Sequence, residues 1–230
     1  MKHNRKIIYL AGFLFALPLA LATYINSSFI ASFVGESKVA FIYTLGSLVA
    51  LLGLLISPSI FRKLSGYKFL LTITLLDATT FAILATTEKP IIAIITFIVG
   101  ICLNTLIVFS LDEFLKISSK DSNTGITRGT YIALCNMAWI LAQIFSGTVI
   151  GNSSFKTIYL INFFIMIIFF VVLALNFKHI IEPKYDKINI LKTIKRFFNE
   201  TNLVRSYKIN FLLQFFFSWM VIYTPIYLKA

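Results

Sequence analysis

Asp77 is the residue of this sequence that most requires a chemical explanation. It sits near the middle of an apolar run over 67–87, flanked at helical spacing by Thr74 and Thr80, and no other ionisable residue lies so deep in such a run. A carboxylate at the centre of a bilayer costs about 2.5–3.5 kcal/mol on insertion scales, so its presence points to function. No Lys or Arg lies at comparable depth to pair with it. Its cheapest form is then the neutral acid, hydrogen-bonded to a Thr or to a neighbouring helix. Asp77 is therefore a proton-coupling candidate, and the alternative is a neutral Asp that staples helices together.

A second set of residues is Asn136, Trp139, Gln143 and Gly147, which recur at i, i+3, i+7 and i+11 and share one helix face. That face is suited to lining a polar pathway, and interhelical hydrogen bonding with Gly147 and Gly151 as a small-residue contact explains it equally well. Asn104, Gln214 and Trp219 are further pathway candidates, with Tyr24 and Asn26 weaker ones. Asp112 and Glu113 end one apolar run near the level expected for Arg62, Lys63 and Arg128, which makes these five candidates for a gate latch or simply solvated helix ends. No catalytic, cofactor or metal pattern emerges. His3 and His179 are terminal or loop residues without partnering motifs, and Cys102 and Cys135 lack ligand spacing, so the chain is not read as an enzyme.

These side chains need elements to hold them, and the composition says which. Of the 230 residues, 58% are hydrophobic and only 13% charged, about half the charge of a soluble domain. Such a chain cannot cover a soluble surface, which excludes a soluble enzyme or nucleic-acid reader. A bilayer core about 30 Å thick needs about 20 apolar residues in a helix. Seven stretches fit: 7–29, 39–58, 67–87, 90–111, 129–150, 156–177 and 209–228. Leu160 to Leu175 is almost unbroken Leu, Ile, Val, Phe and Met, which is a helical pattern and not the alternation of a barrel strand. The expected fold is all-α, a polytopic transmembrane helical bundle with seven spans. Pro18 is expected to kink the first.

The net charge of +12 maps onto loops. With these spans, 17 of the 21 cations fall on one side and Lys38, Lys89, Lys156 and Lys229 on the other. The positive-inside rule then makes the N-terminus and the even-numbered loops cytoplasmic, in an inner or plasma membrane, and explains the basic excess without nucleic acid. Lys2 to Lys6, the apolar run and Ala20-Leu21-Ala22 also fit a signal peptide cleaved after residue 22; an uncleaved first helix is preferred because the run is long. Three regions follow: 1–177, a six-helix bundle; 178–208, a basic cytoplasmic linker; and 209–230, a seventh helix. Within the linker Ile190, Leu191, Ile194, Phe197 and Phe198 alternate at helical period with Lys192, Lys195, Arg196 and Asn199, which predicts an amphipathic helix on the membrane surface with an anionic-lipid contact.

Six spans, a long basic inner loop and a seventh span resemble the major facilitator superfamily, over the whole chain. The loop Ser59 to Lys68 is similar to that family's inner-loop signature at Gly66 and Lys68, with Arg62 and Lys63 adding charge, but has Ser59 for the first glycine and Lys63-Leu64 for the Asp-Arg pair. Span 5, from Arg128-Gly129 to Gly147 and Gly151, resembles the small-residue fifth helix without the antiporter Gly-Pro; span 7, with Trp219, Tyr223 and Pro225, resembles the seventh. The resemblance implies secondary transport of a small solute by alternating access, possession of a coupling ion, and a pathway lined by helices 1, 4 and 7, which favours Asn104, Gln214 and Trp219. Family members have about twelve spans, so the chain looks like an N-terminal portion whose second half, or a partner subunit, is missing. The alternatives are a non-transporting multi-span subunit or a seven-span receptor, the latter disfavoured by a cytoplasmic N-terminus and by Lys229 lying only at the end of span 7.

Overall fold

The computed structural model describes residues 2–119, 124–150, 154–180, 182 and 190–227; the side chains of 2–4, 24, 146–150, 190, 191, 194 and 225–227 are not included. Lys120, Gly151, Lys184, Lys187 and Lys229 lie outside the described residues, as do the side chains of His3 and Tyr24 and the surroundings of Gly147. Among the described residues the chain is helical with short connections and no strand: α1 (Lys2–Val34), α2 (Glu36–Leu64), α3 (Gly66–Thr86), α4 (Pro90–Ser118), α5 (Thr124–Ile150), α6 (Phe155–Asn176) with a 3-10 turn at Phe177–His179, α7 (Ile190–Asn199) and α8 (Thr201–Tyr227). Among the described residues five stretches are long and apolar enough to cross a membrane: Arg5–Thr23 in α1, then α2, α3, α4, and Phe155–His179; the expected spans 129–150 and 209–228, in α5 and α8, are not among them. The protein is membrane-embedded, and its described residues are helical.

The breaks between helices have local causes. Gly35, at φ +81°, separates α1 from α2, a conformation that glycine alone adopts freely. Ser65, at φ +58°, turns α2 into α3 and is the only non-glycine residue with positive φ among those described. Pro90 opens α4, where its missing N–H is harmless. Ser154 caps α6 by accepting from the Lys156 N–H at 3.1 Å.

Helices run beyond their expected spans at several ends, furthest at α4 and α8. α4 runs on to Ser118 beyond the apolar run ending at 111, and the α4–α5 connection is shorter than expected. α8 begins at Thr201, so Arg205 and Lys208 of the expected linker lie in its first turns. Glu200 supplies the reason: its carbonyl accepts from the Val204 N–H at 3.1 Å, starting the helix directly after α7. Hydropathy locates where a helix becomes apolar, not where it starts.

α1 is the central helix, packed against α2, α4, α5, α6 and α8. Against α5 it presents small residues, with Ala138 and Ala142 buried on the facing helix, and Gly12 lies under the Tyr131 ring so closely that a Cβ there would overlap it. Small residues that let backbones approach are the usual means of association in lipid, where hydrophobicity gives no net drive. On the other side α3 packs on α4 and α6, and the α1–α6 seam is aromatic, with Phe15 on Phe169 and Phe29 on Tyr159 at 5.6 and 4.8 Å.

Candidate functional site

α3 carries Thr74, Asp77 and Thr80 on one face, and all three are buried inside the bundle. Thr80 Oγ1 donates to the Asp77 carbonyl at 2.7 Å and stands 3.4 Å from Asp77 Oδ1. From α4, Asn104 Nδ2 donates to the Gly100 carbonyl at 2.8 Å and reaches Asp77 Oδ1 at 3.5 Å. Both contacts to the carboxyl are at the long limit of hydrogen bonding. Asp77 Oδ2, Asn104 Oδ1 and Thr74 Oγ1 have no partner among the described residues, although buried polar atoms are nearly always paired.

Next to this cluster is a cavity of about 40 Å³ between α1, α3 and α4, lined by Ala22, Asn26, Thr80, Gly100 and Asn104 among others. A buried water needs about 10–15 Å³, so two or three fit. On the α1 side Asn26 Oδ1 accepts from the Tyr159 hydroxyl of α6 at 2.8 Å. Four helices thus contribute polar groups to one internal region. Asn162, one turn beyond Tyr159, is fully buried with neither amide atom partnered among the described residues.

The structure brings Asp77 and Asn104 together and leaves the other pathway candidates elsewhere. Ala138 and Ala142 are the α5 residues that face inward, while Asn136 and Gln143 are exposed and Trp139 is half-buried, its ring 6.2 Å from Phe217 of α8. Gln214 is exposed on α8, and Trp219, also exposed, lies against Tyr223 at 5.1 Å.

Of the gate candidates, Arg128 Nη2 donates to both Asp112 oxygens at 2.8 Å, tying α4 to α5. Glu113 pairs within α4 with Lys116 at 4.0 Å, and Arg62 and Lys63 are exposed with no ion pair among the described residues. Half-exposed ion pairs contribute about 1 kcal/mol or less. Reversing Arg128 to Asp should therefore cost no more than this in stability, and Asp112→Arg in the same chain should recover most of it. A double-mutant cycle on thermal unfolding checks this; strictly additive effects would remove the pair as a unit.

Two contacts escaped the sequence reading. Glu182, beyond α6, accepts from the backbone N–H groups of Gly66 and Tyr67 at 2.5 and 2.8 Å, and the Tyr67 hydroxyl donates to the Ala174 carbonyl at 3.1 Å. A carboxylate there satisfies otherwise orphaned donors and complements the positive end of α3. Glu182→Gln should lower the melting temperature by about 2–4 °C, the shift of about 1 kcal/mol in a chain of this size; an unchanged Tm in scanning calorimetry would show the contact to be energetically idle. At the other end of the bundle Lys156 Nζ donates to Glu88 at 2.9 Å and holds that carboxyl below its ordinary range. Opposite charges on the same expected outer side were the available signal for this pair, but Glu36 and three other lysines share that side.

No family model matches the chain, and neither the curated proteins nor the solved structures contain a match.

Proposed function

We propose that this protein is a secondary transporter, or the N-terminal portion of one, that moves a small solute by alternating access, with Asp77 as its ion-coupling residue. The observation that carries the reading is the incompletely paired carboxyl of Asp77 beside Asn104 and a water-sized cavity in the interior of the bundle. An intramembrane acid is expensive, and such residues mark ion pathways in membrane bundles. The ordered spans and the partial inner-loop signature resembling the major facilitator superfamily support the same reading. So do the seven expected spans, with the 17-to-4 cation split placing the N-terminus in the cytoplasm.

On this reading the α5 face of exposed Asn136 and Gln143 and half-buried Trp139, with Gln214 and Trp219, lines the solute pathway against a second half or partner subunit. The Asp112–Arg128 pair then closes the cytoplasmic end of α4 and α5. Accessibility tests the reading. In a chain with Cys102 and Cys135 replaced by alanine, a cysteine at Asn136 should react with a membrane-impermeant maleimide from either side of oriented vesicles. Charge reversal at Arg128 should bias labelling toward the cytoplasmic side. Labelling from neither side would place this face in lipid or protein and sink the transport pathway, leaving a non-transporting subunit.

A further inference from the structure

The atoms around Asp77 are mismatched in a particular way. Every unpartnered atom in the cluster is an oxygen able to accept: Asp77 Oδ2, Asn104 Oδ1 and Thr74 Oγ1. No Lys, Arg or His of the described residues pairs with the carboxyl. Thr80 and Asn104 reach only Oδ1, and at the long limit of hydrogen bonding, which leaves Oδ2 without a donor. Among the described residues the carboxyl has no positive partner and one bare oxygen, a deficit that a metal cation can fill.

We propose that Asp77, Thr80, Asn104 and the adjoining cavity form a binding site for one sodium ion. The proposal names the coupling ion of the transporter suggested above; its coupling role rests on that reading, and binding itself does not. The donor set is all oxygen, which suits hard cations. One carboxylate matches one charge, which favours a monovalent over a divalent ion. Spacing agrees as well. Adjacent ligands of an ion that takes oxygens at about 2.4 Å, as calcium does and sodium nearly does, stand about 3.4 Å apart. Thr80 Oγ1 lies 3.4 Å and the Asn104 amide 3.5 Å from Asp77 Oδ1.

Thr80 already spends its proton on the Asp77 carbonyl, so its lone pairs are free to coordinate. A half-turn of the Asn104 amide replaces Nδ2 by Oδ1 on the side of Asp77 and next to the Gly100 carbonyl. That would convert a long hydrogen bond into a ligand contact. Waters in the adjoining cavity of about 40 Å³ complete the shell.

The test is thermal unfolding of the purified full chain in detergent, with sodium chloride titrated against choline chloride at constant ionic strength. Sodium at about 100-fold its dissociation constant should raise Tm by about 5–10 °C, and the shift should grow with the logarithm of sodium above that constant. Potassium should be markedly weaker, Asp77→Asn should abolish the shift, and Asn104→Ala should move its onset to higher sodium. Should Asp77→Asn fail to fold, the sodium-over-choline shift of the parent and its weakening in Thr80→Val decide instead. Equal shifts in sodium and choline, or a shift retained in Asp77→Asn, would overturn the site. A Tm that follows pH and ignores sodium makes the occupant a proton and overturns it too. Sodium binding with no movement of solute across proteoliposomes keeps the site and discards the transport reading.

Discussion

On the transport reading proposed above, Asp77→Asn will reduce gradient-driven accumulation of solute in proteoliposomes from about 50-fold to parity, while exchange of solute across the membrane continues. One elementary charge crossing 100 mV supplies about 2.3 kcal/mol, which is about 50-fold in concentration. Asn keeps the shape of Asp and can satisfy the same neighbours, but it neither takes up nor releases a cation at the site. The chain should therefore remain inserted and monodisperse. The carboxyl is fully buried on α3, with only the long contacts to Thr80 and Asn104, so no nearby group replaces it. Accumulation unchanged in the Asn variant would leave Asp77 as a helix staple and no more.

Asp77 stood out because depth in an apolar run is a property of sequence, and so did Asn104, a lone amide in span 4. That the two meet was not legible, because which face of α3 turns to α4 is decided by packing over the whole bundle. Asp112 and Arg128 were named among five gate candidates, and only the structure singles out their pairing. Glu182 was invisible as a cap: it lies 116 residues from Gly66, and no local pattern announces a carboxylate that serves another helix. α7 appears at Ile190–Asn199, where the alternation of apolar and basic residues placed it, since amphipathic period is a local signal. Asn136 and Gln143 do share a face with Trp139, yet periodicity alone cannot say whether that face turns inward, and the alanines of α5 take that place instead.

The second large effect is expected at Gly12. A Cβ at this position would run into the outer edge of the ring of Tyr131, a partly buried α5 side chain packed against the core. Gly12→Leu should push the two helices apart and destabilise the protein by about 3 kcal/mol, the upper range for overpacking a well-filled interface. Because α5 is fastened to the bundle mainly through α1, the loss should show as early proteolysis within α5 as well as a lower Tm. Tyr131→Ala in the same chain removes the obstructing ring and should restore at least 1 kcal/mol of the deficit, a coupling expected only of residues in contact. A Gly12→Leu protein as stable as its parent would mean that the α1–α5 approach is not as close as described.

The contact of Glu182 with the start of α3 also sets a length. Eight peptide steps separate Glu182 from Ile190, the first residue of α7, and at full extension they span about 28 Å. α7 is therefore leashed at one end to the α2–α3 turn and at the other, through the single residue Glu200, to α8. A helix tethered at both ends stays beside its own bundle, and a displacement of α8 is passed through Glu200 to the helix that carries Lys192, Lys195 and Arg196.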